Sequence, residues 1–464
     1  MKGWYIPSRP DQAPGESTDW YASFWGFCRD YLNTRFAEQW CLSPEQSLAL
    51  HIGHWTVPRQ LLVRATKGGN KPTRLLHNTS IFDLRLKLPD AGDVMILEGL
   101  RIMNLPAALI ACPPSYFTSQ AIEIRSALST IGDASDILRK LLDGNHSTVA
   151  GRLAGAFRNI GRNKIADTII DTMRSAGHAV VESDPFEKQS TITFSHRELS
   201  PHVNRIRMMW EQFRQPIIDH FPASPGKITH LKAYLSQIDE LYAADAYHSL
   251  SIEGYRVSAE LIERVKEGSW NPDSTKEDNE YKNALAARGY WQAFQAVKTS
   301  ITKVLKGNIP NGSNAGIIAE DDYSTWYREL FAPSVAAGII SAADLAGYRN
   351  RPVYIRQSMH TPPNHATERD LMPAFFELLQ KEESPEVRVV LGHFIFVYIH
   401  PFIDGNGRTG RFLMNLMLAA GGYPWLVIPV EKRDIYMDAL EAASVEQDIV
   451  PFARFLAGLI NNQI

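Results

Sequence analysis

The sequence is poor in cysteine. Three stand among 464 residues, Cys28, Cys41 and Cys112. An odd number with no CxxC spacing argues against a disulfide framework or a zinc finger and points to a reducing compartment. An excess of one charge is missing too: Lys+Arg 48 against Asp+Glu 51 leaves −3. The whole molecule is therefore not a nucleic-acid glove, although a local basic patch is allowed. No apolar run suits a bilayer, because the greasiest stretch, Val94–Phe117, is interrupted by Glu98, Arg101, Pro106, Pro113 and Pro114. The opening MKGWYIPSRP has no apolar signal-peptide core, and neither internal repeats nor low-complexity tracts occur. What is present is ordinary globular composition, 44% hydrophobic and 21% charged, at a length that suggests about three units. The expectation is a soluble cytoplasmic protein with no membrane partner.

Residues 1–190 alternate short β-like runs with helical ones. Val94–Leu97 and Ala107–Cys112 read as strands, Ser135–Leu142 and Ile165–Arg174 as helices. From about Glu198 the pattern is almost wholly helical, with apolar residues three and four apart in Val203–Phe213, Leu231–Tyr242, Glu277–Leu305, Glu386–Ile399 and Arg411–Ala420. Pro352–Ile355 is the exception, an extended run before the turn-rich His360–Pro363. Boundary signals at Ser183–Ser195, Gly268–Ser274 and Gly307–Gly316 give three expected regions: 1–190 mixed α/β, 191–275 helical, and 276–464 a helical core. The fold class is mostly α.

One segment concentrates chemistry: His400-Pro-Phe-Ile-Asp404-Gly-Asn-Gly-Arg408-Thr-Gly-Arg411. Pro401, Gly405 and Gly407 forbid one continuous helix, so two apolar helices are joined by a glycine-bearing loop. The amides of Gly405, Asn406 and Gly407 can converge at the positive N-terminus of the second helix, which makes an anion site. Arg408 and Arg411, three apart, share a helix face above it and suit a polyphosphate. Asp404 supplies a hard oxygen where Mg²⁺ would bridge phosphates. His400 is the only loop group that takes up a proton near neutral pH. Each residue also has a plain role, as helix cap, turn or surface charge, and Phe402 reads as core packing. Their joint spacing has no explanation in folding alone.

The segment resembles the signature of the Fic (Fido) family, H-P-F-x-[D/E]-G-N-G-R-x-x-R, at every specified position. Pro352–Pro363, the helix entering at Val389, and Gly421–Pro424 through Ile428–Pro429 are similar to the family as well, so the resemblance spans roughly residues 240–460. It implies an all-helical core with a short flap hairpin and transfer of AMP from ATP to a Ser, Thr or Tyr hydroxyl of a protein, the chain itself included. Position by position, it implies that His400 is the base and that Asp404 holds Mg²⁺. Gly405, Asn406 and Gly407 would steady the α-phosphate, Arg408 the β-phosphate and Arg411 the γ-phosphate. Pro352, Val353, Tyr354 and Ile355 would form the flap that pairs with the target's backbone. Tyr436, in a helix where relatives place nucleoside contacts, would touch the nucleotide. Met437 and Ser444, where some relatives carry Tyr and Asn, leave the base of the donor open. A homodimer is compatible with the family.

Ser249-Leu-Ser-Ile-Glu253-Gly254 closes a helical stretch and resembles the family's inhibitory motif, [S/T]-x-x-x-E-[G/N]. Gly254 is a natural helix end, so Glu253 stands in the last turn, where the dipole disfavours a bare carboxylate and a cationic partner is wanted. The resemblance implies Arg411 as that partner, hence a self-inhibited enzyme. The same glutamate could direct a water at an AMP-modified protein, so a de-AMPylase or another nucleotidyl or phospho-transferase is the alternative. His393, two helical turns before His400, reads as a core histidine. In the N-terminal region Arg59, Arg64, Lys67, Lys71 and Arg74 form an acid-free run between Glu45 and Asp83, and Arg152, Arg158, Arg162 and Lys164 a second one. With Gly177–Val181 as a wing strand this would be a winged-helix-like module, and the weaker rival function is a nucleotide-sensing DNA-binding or antitoxin-type regulator.

Overall fold

The computed structural model describes residues 4–5, 16–186, 200–270, 278–307, 315–345 and 347–461. The three expected linkers fall partly outside these residues. The chain forms two compact units, Met1–Gln212 with Val353–Pro363, and Phe213–Pro352 with Asn364–Ile464.

The first unit is mixed, as expected. Strands β1 (Trp40–Leu42), β2 (Gln60–Ala65), β3 (Pro72–Arg74) and β4 (Ser80–Arg85) make a sheet of order β1-β2-β4-β3, with β2 and β4 parallel. Leu61, Val63 and Ala65 alternate toward the core. Trp20, Phe24, Cys28, Leu32 and Phe36, four apart along the helix Thr18–Phe36, join the same cluster. β5 (Val94–Leu97) and β6 (Leu100–Met103) form a hairpin, β5 where the sequence placed it. Helices Leu105–Ala111, Ala121–Thr130, Ser135–Asp143, Ser147–Asn159 and Asn163–Ser175 enclose a second core.

Two expectations fail in this unit. Ala107–Cys112 is not a strand but lies mostly in the helix Leu105–Ala111, because Asn104 Oδ1 accepts from Ala107 N (3.0 Å) and Pro106 occupies a first-turn position. Gly177–Val181 is not a wing strand. The chain instead lies across the helix Ser147–Asn159, where Gly151 and Gly155 leave no room for a Cβ beneath the carbonyls of Val181 and Ser183. In the second basic run Arg158 binds Glu182 and Asp167, Arg162 donates to Ser129 O, Arg152 donates to Cys112 O and lies over Phe117, and Lys164 is exposed.

The expected flap hairpin carries no strand ladder. Val353–Pro363 is irregular, with a turn at Arg356–Gln357, and its bonds go to the first unit: Val57 N donates to Met359 O (2.9 Å), Gln357 N to Thr18 Oγ1 (3.3 Å), and Arg356 pairs with Glu16 (2.8 Å).

The second unit is helical throughout its described residues apart from loops: Leu231–Ile252, Ala259–Lys266, Asp278–Lys306, Ala315–Ala336, Glu368–Lys381, Pro385–Ile399, Asn406–Ala420, Arg433–Glu441 and Val450–Asn461. It holds the helix Leu231–Ile252 together with the helices from Asp278 onward. Its axis is Pro385–Ile399, buried at every residue from Val387 to Ile399; a helix apolar all round belongs at the centre. Ser384 starts it by accepting from Val387 N (3.3 Å). Asn406–Ala420 packs beside it, so the turn between the two helices is held at both ends.

Candidate active site

The helix Pro385–Ile399 ends because Pro401 cannot continue it. His400 takes the left-handed position (φ 56°, ψ 57°) usually left to glycine, and its N–H donates to Phe396 O (3.0 Å). Its Nδ1 lies 3.2 Å from Val397 O. A carbonyl only accepts, so Nδ1 carries the proton and Nε2 keeps its lone pair, a tautomer assigned from this bond. Burial lowers the imidazole to about 4, Arg349 adds to the shift, and Glu253 and Asp404 oppose it.

Arg349 reaches the same turn. Its Nε donates to His400 O (2.9 Å), its backbone N–H to Pro401 O (2.9 Å), and Glu368 Oε1 lies 2.6 Å from Nε. Burial pushes Glu368 up to about 8 against the pull of Arg349.

Phe402 anchors the loop, stacked on Tyr327 at 3.8 Å and 6°. Asn406 closes it: Oδ1 accepts from Phe402 N (2.9 Å) and Nδ2 donates to Phe402 O (2.8 Å). Both polar ends of that side chain are thus used on the loop itself, not held toward a phosphate. Gly405 turns the chain at φ +79°, and a Cβ there would lie 2.7 Å from Phe331 Cε2. Asp404 is 61% exposed beside this turn, its Oδ1 accepting from Gly405 N (2.5 Å) with Arg408 Nη2 at 3.4 Å. The first amides of a helix such as Asn406–Ala420 have no intrahelical partner and suit an anion.

Arg408 is buried, with its guanidinium carbon 4.9 Å from the Phe331 ring centroid and 5.2 Å from that of Tyr255. Arg411 is buried one turn on. Its Nε donates to Ser249 Oγ (2.9 Å), and its Nη2 to Ser249 O (3.1 Å) and Glu253 Oε1 (2.7 Å). Its Nη1 is buried without a hydrogen-bond partner. The Glu253 carboxylate rests against Gly407 closely enough that a Cβ there would run into it. Burial would raise Glu253, but Arg411 and Arg408 outweigh it and hold the carboxyl below its ordinary value. A carboxylate of the chain's own thus lies at the helix N-terminus where a ligand anion would be held.

Asp245 and Ser249 on the helix Leu231–Ile252 and Glu253 at its C-cap stand four apart. Asp245 Oδ2 accepts from Tyr290 OH (2.7 Å), and burial raises Asp245 to about 6. Arg433 Nε donates to Ile252 O (3.0 Å) and Val430 N to His248 Nδ1 (3.1 Å), which tether the helix end carrying Glu253.

Of the sequence candidates, His400, Asp404, Gly405, Asn406, Gly407, Arg408, Arg411, Ser249 and Glu253 come together. Tyr436 is not an open nucleotide contact: it is buried, and its hydroxyl bonds His393 Nε2 (2.7 Å), which makes His393 the core histidine expected. Pro352 belongs to this unit and Val353, Tyr354 and Ile355 to the first. Sequence reading missed Arg349, Glu368, Asp245, Tyr290, Tyr255 and Phe331. Only Asp245 had a signal, its spacing from Ser249.

Residues 318–418 match the family model described as the Fic/DOC family. The curated "Protein adenylyltransferase Fic" of Culex quinquefasciatus is 29% identical over 289 residues, 60% of this chain and 53% of the relative. That of Drosophila grimshawi is 34% identical over 224 residues, 47% of this chain and 41% of the relative. The chain thus spans about half the length of the curated relatives it matches. Among solved structures, "Fic-1 (aa134 - 508) from C. elegans" aligns over 77% of this chain and 89% of its own at 18% identity, with a TM-score of 0.41. With the complete motif on its two-helix turn and the match across residues 318–418, the chain carries a Fic/DOC-family domain.

Proposed function

We propose that the protein transfers AMP from ATP to a hydroxyl of a protein substrate and that its own Glu253 restrains the reaction. The observation that carries this reading is the Glu253 carboxylate, 2.7 Å from Arg411 Nη2 and against Gly407, in the anion cradle behind His400. The names of the curated relatives support the activity.

In the transfer, a substrate hydroxyl attacks the α-phosphorus, the bond from that phosphorus to the bridging oxygen breaks, and pyrophosphate leaves. His400 Nε2 takes the hydroxyl proton. Because the imidazole is neutral well below pH 7, it is in the accepting form under ordinary conditions. The helix amides and Arg408 stabilise the charge on the phosphates, and positioning supplies most of the catalysis, as in phosphoryl transfer generally. Mg²⁺ needs near-octahedral oxygen coordination, mostly from phosphates and water, so one exposed carboxylate, Asp404, fits the protein's share. When bound, the ion would neutralise phosphate charge. Arg411 would take the terminal phosphate once Glu253 leaves it.

Labelled ATP tests the reading. The Glu253→Gly variant should incorporate label well above wild type, and Glu253→Gly with His400→Ala should incorporate none. Incorporation no higher than wild type removes the restraint, and label that survives His400→Ala removes the base.

A further inference from the structure

We propose that Arg349 is a positioning residue for His400: it holds the carbonyls of His400 and Pro401 and thereby fixes the left-handed backbone that presents the imidazole. The inference rests on the reaction proposed above and adds a residue outside the loop motif.

A left-handed backbone at a residue with a side chain is disfavoured and persists only where its surroundings impose it. His400 has this conformation immediately before a proline, so the helix cannot extend to relieve it. The two carbonyls beyond the helix end also need donors. Arg349 supplies both, Nε to His400 O and N–H to Pro401 O, each at 2.9 Å. Glu368 Oε1 lies 2.6 Å from the same Nε, and Nη1 donates to Arg351 O at 3.4 Å. Arg349 and Glu368 are 1% and 0% exposed. A buried cation held against a buried carboxyl is a poor route to stability but a good one to a single geometry, and this contact adjoins the base. The cation also acts through space. The charged groups that influence His400 are Arg349, Glu253 and Asp404, and of these only Arg349 favours the neutral imidazole.

Histidine NMR of the full chain, with His400 assigned by loss of its signal in His400→Ala, reads the position directly. Arg349→Met should move the His400 titration up by about half a unit or more, whereas Arg349→Lys, which keeps the charge, should leave it nearly in place. Kinetics in the Glu253→Gly background give the second reading. There kcat should fall about 30-fold or more in Arg349→Met and about 5- to 10-fold in Arg349→Lys, with KM for ATP within about twofold, as expected when only the base is misplaced. An unmoved titration in Arg349→Met, or an undiminished kcat in either variant, overturns the proposal. A parallel fall in kcat and nucleotide affinity does so too. Should Glu253→Gly transfer no AMP, the reaction falls and the titration alone judges Arg349. Should Arg349→Met not fold, the kcat of Arg349→Lys decides.

Discussion

Glu253 and Arg411 lie 158 residues apart in the chain, yet Arg411 Nη2 donates to Glu253 Oε1 at 2.7 Å. Ser249, one turn before Glu253, takes two further bonds from the same guanidinium. One helix end thus occupies most of an arginine's donors and puts its carboxylate in an anion site.

Ser249→Ala should loosen this hold without removing the carboxylate. A hydrogen bond to a charged group contributes about 1.5–3 kcal/mol. ATP affinity measured by calorimetry should therefore rise about 10-fold or more and remain below that of Glu253→Gly.

Asn406→Ala should be costly to stability. It strips Phe402 N and Phe402 O of their partners in a buried loop, and each unsatisfied group costs about 1–3 kcal/mol. The denaturant midpoint should drop accordingly. Asn406→Asp keeps the acceptor for Phe402 N and should lose less.

Gly405→Ala combines a positive φ with a clash against Phe331. The expected loss is about 1–3 kcal/mol, read from the thermal midpoint. Gly458→Ala serves as a control, since its added Cβ meets nothing within 4 Å.

His393 is fully buried and lowered to about 4 by burial. The unfolded chain takes a proton there near pH 6.5 and the folded chain does not, so stability falls as pH drops from about 6.5 toward 4. The contribution is of order 3 kcal/mol at the acid end. In His393→Phe the acid branch of stability against pH, measured by urea unfolding, should flatten over that window.

Legibility varied with how local the cause was. β5 and the helices from Pro201 onward follow periodicity that the residues carry themselves, and the 400–411 loop follows from proline and glycine. Ala107–Cys112 misled because an apolar run suits strand and helix alike, and the decision lay in the Asn104 cap. Gly177–Val181 and Pro352–Pro363 misled because strand pairing needs a neighbour, which the sequence does not name. Tyr436 stood in the expected helix, but its hydroxyl is taken by His393 from another.

What the amino-acid sequence determined alone is the kind of chemistry: an imidazole, an amide nest at a helix start, two arginines and a carboxylate within one short loop, whose geometry arises from bonds between near neighbours. Tertiary structure decided what those groups meet. The partners Glu253, Arg349 and Tyr255 come from distant parts of the chain. No local rule selects them, because a charge finds such a partner only when packing brings distant segments of the chain together.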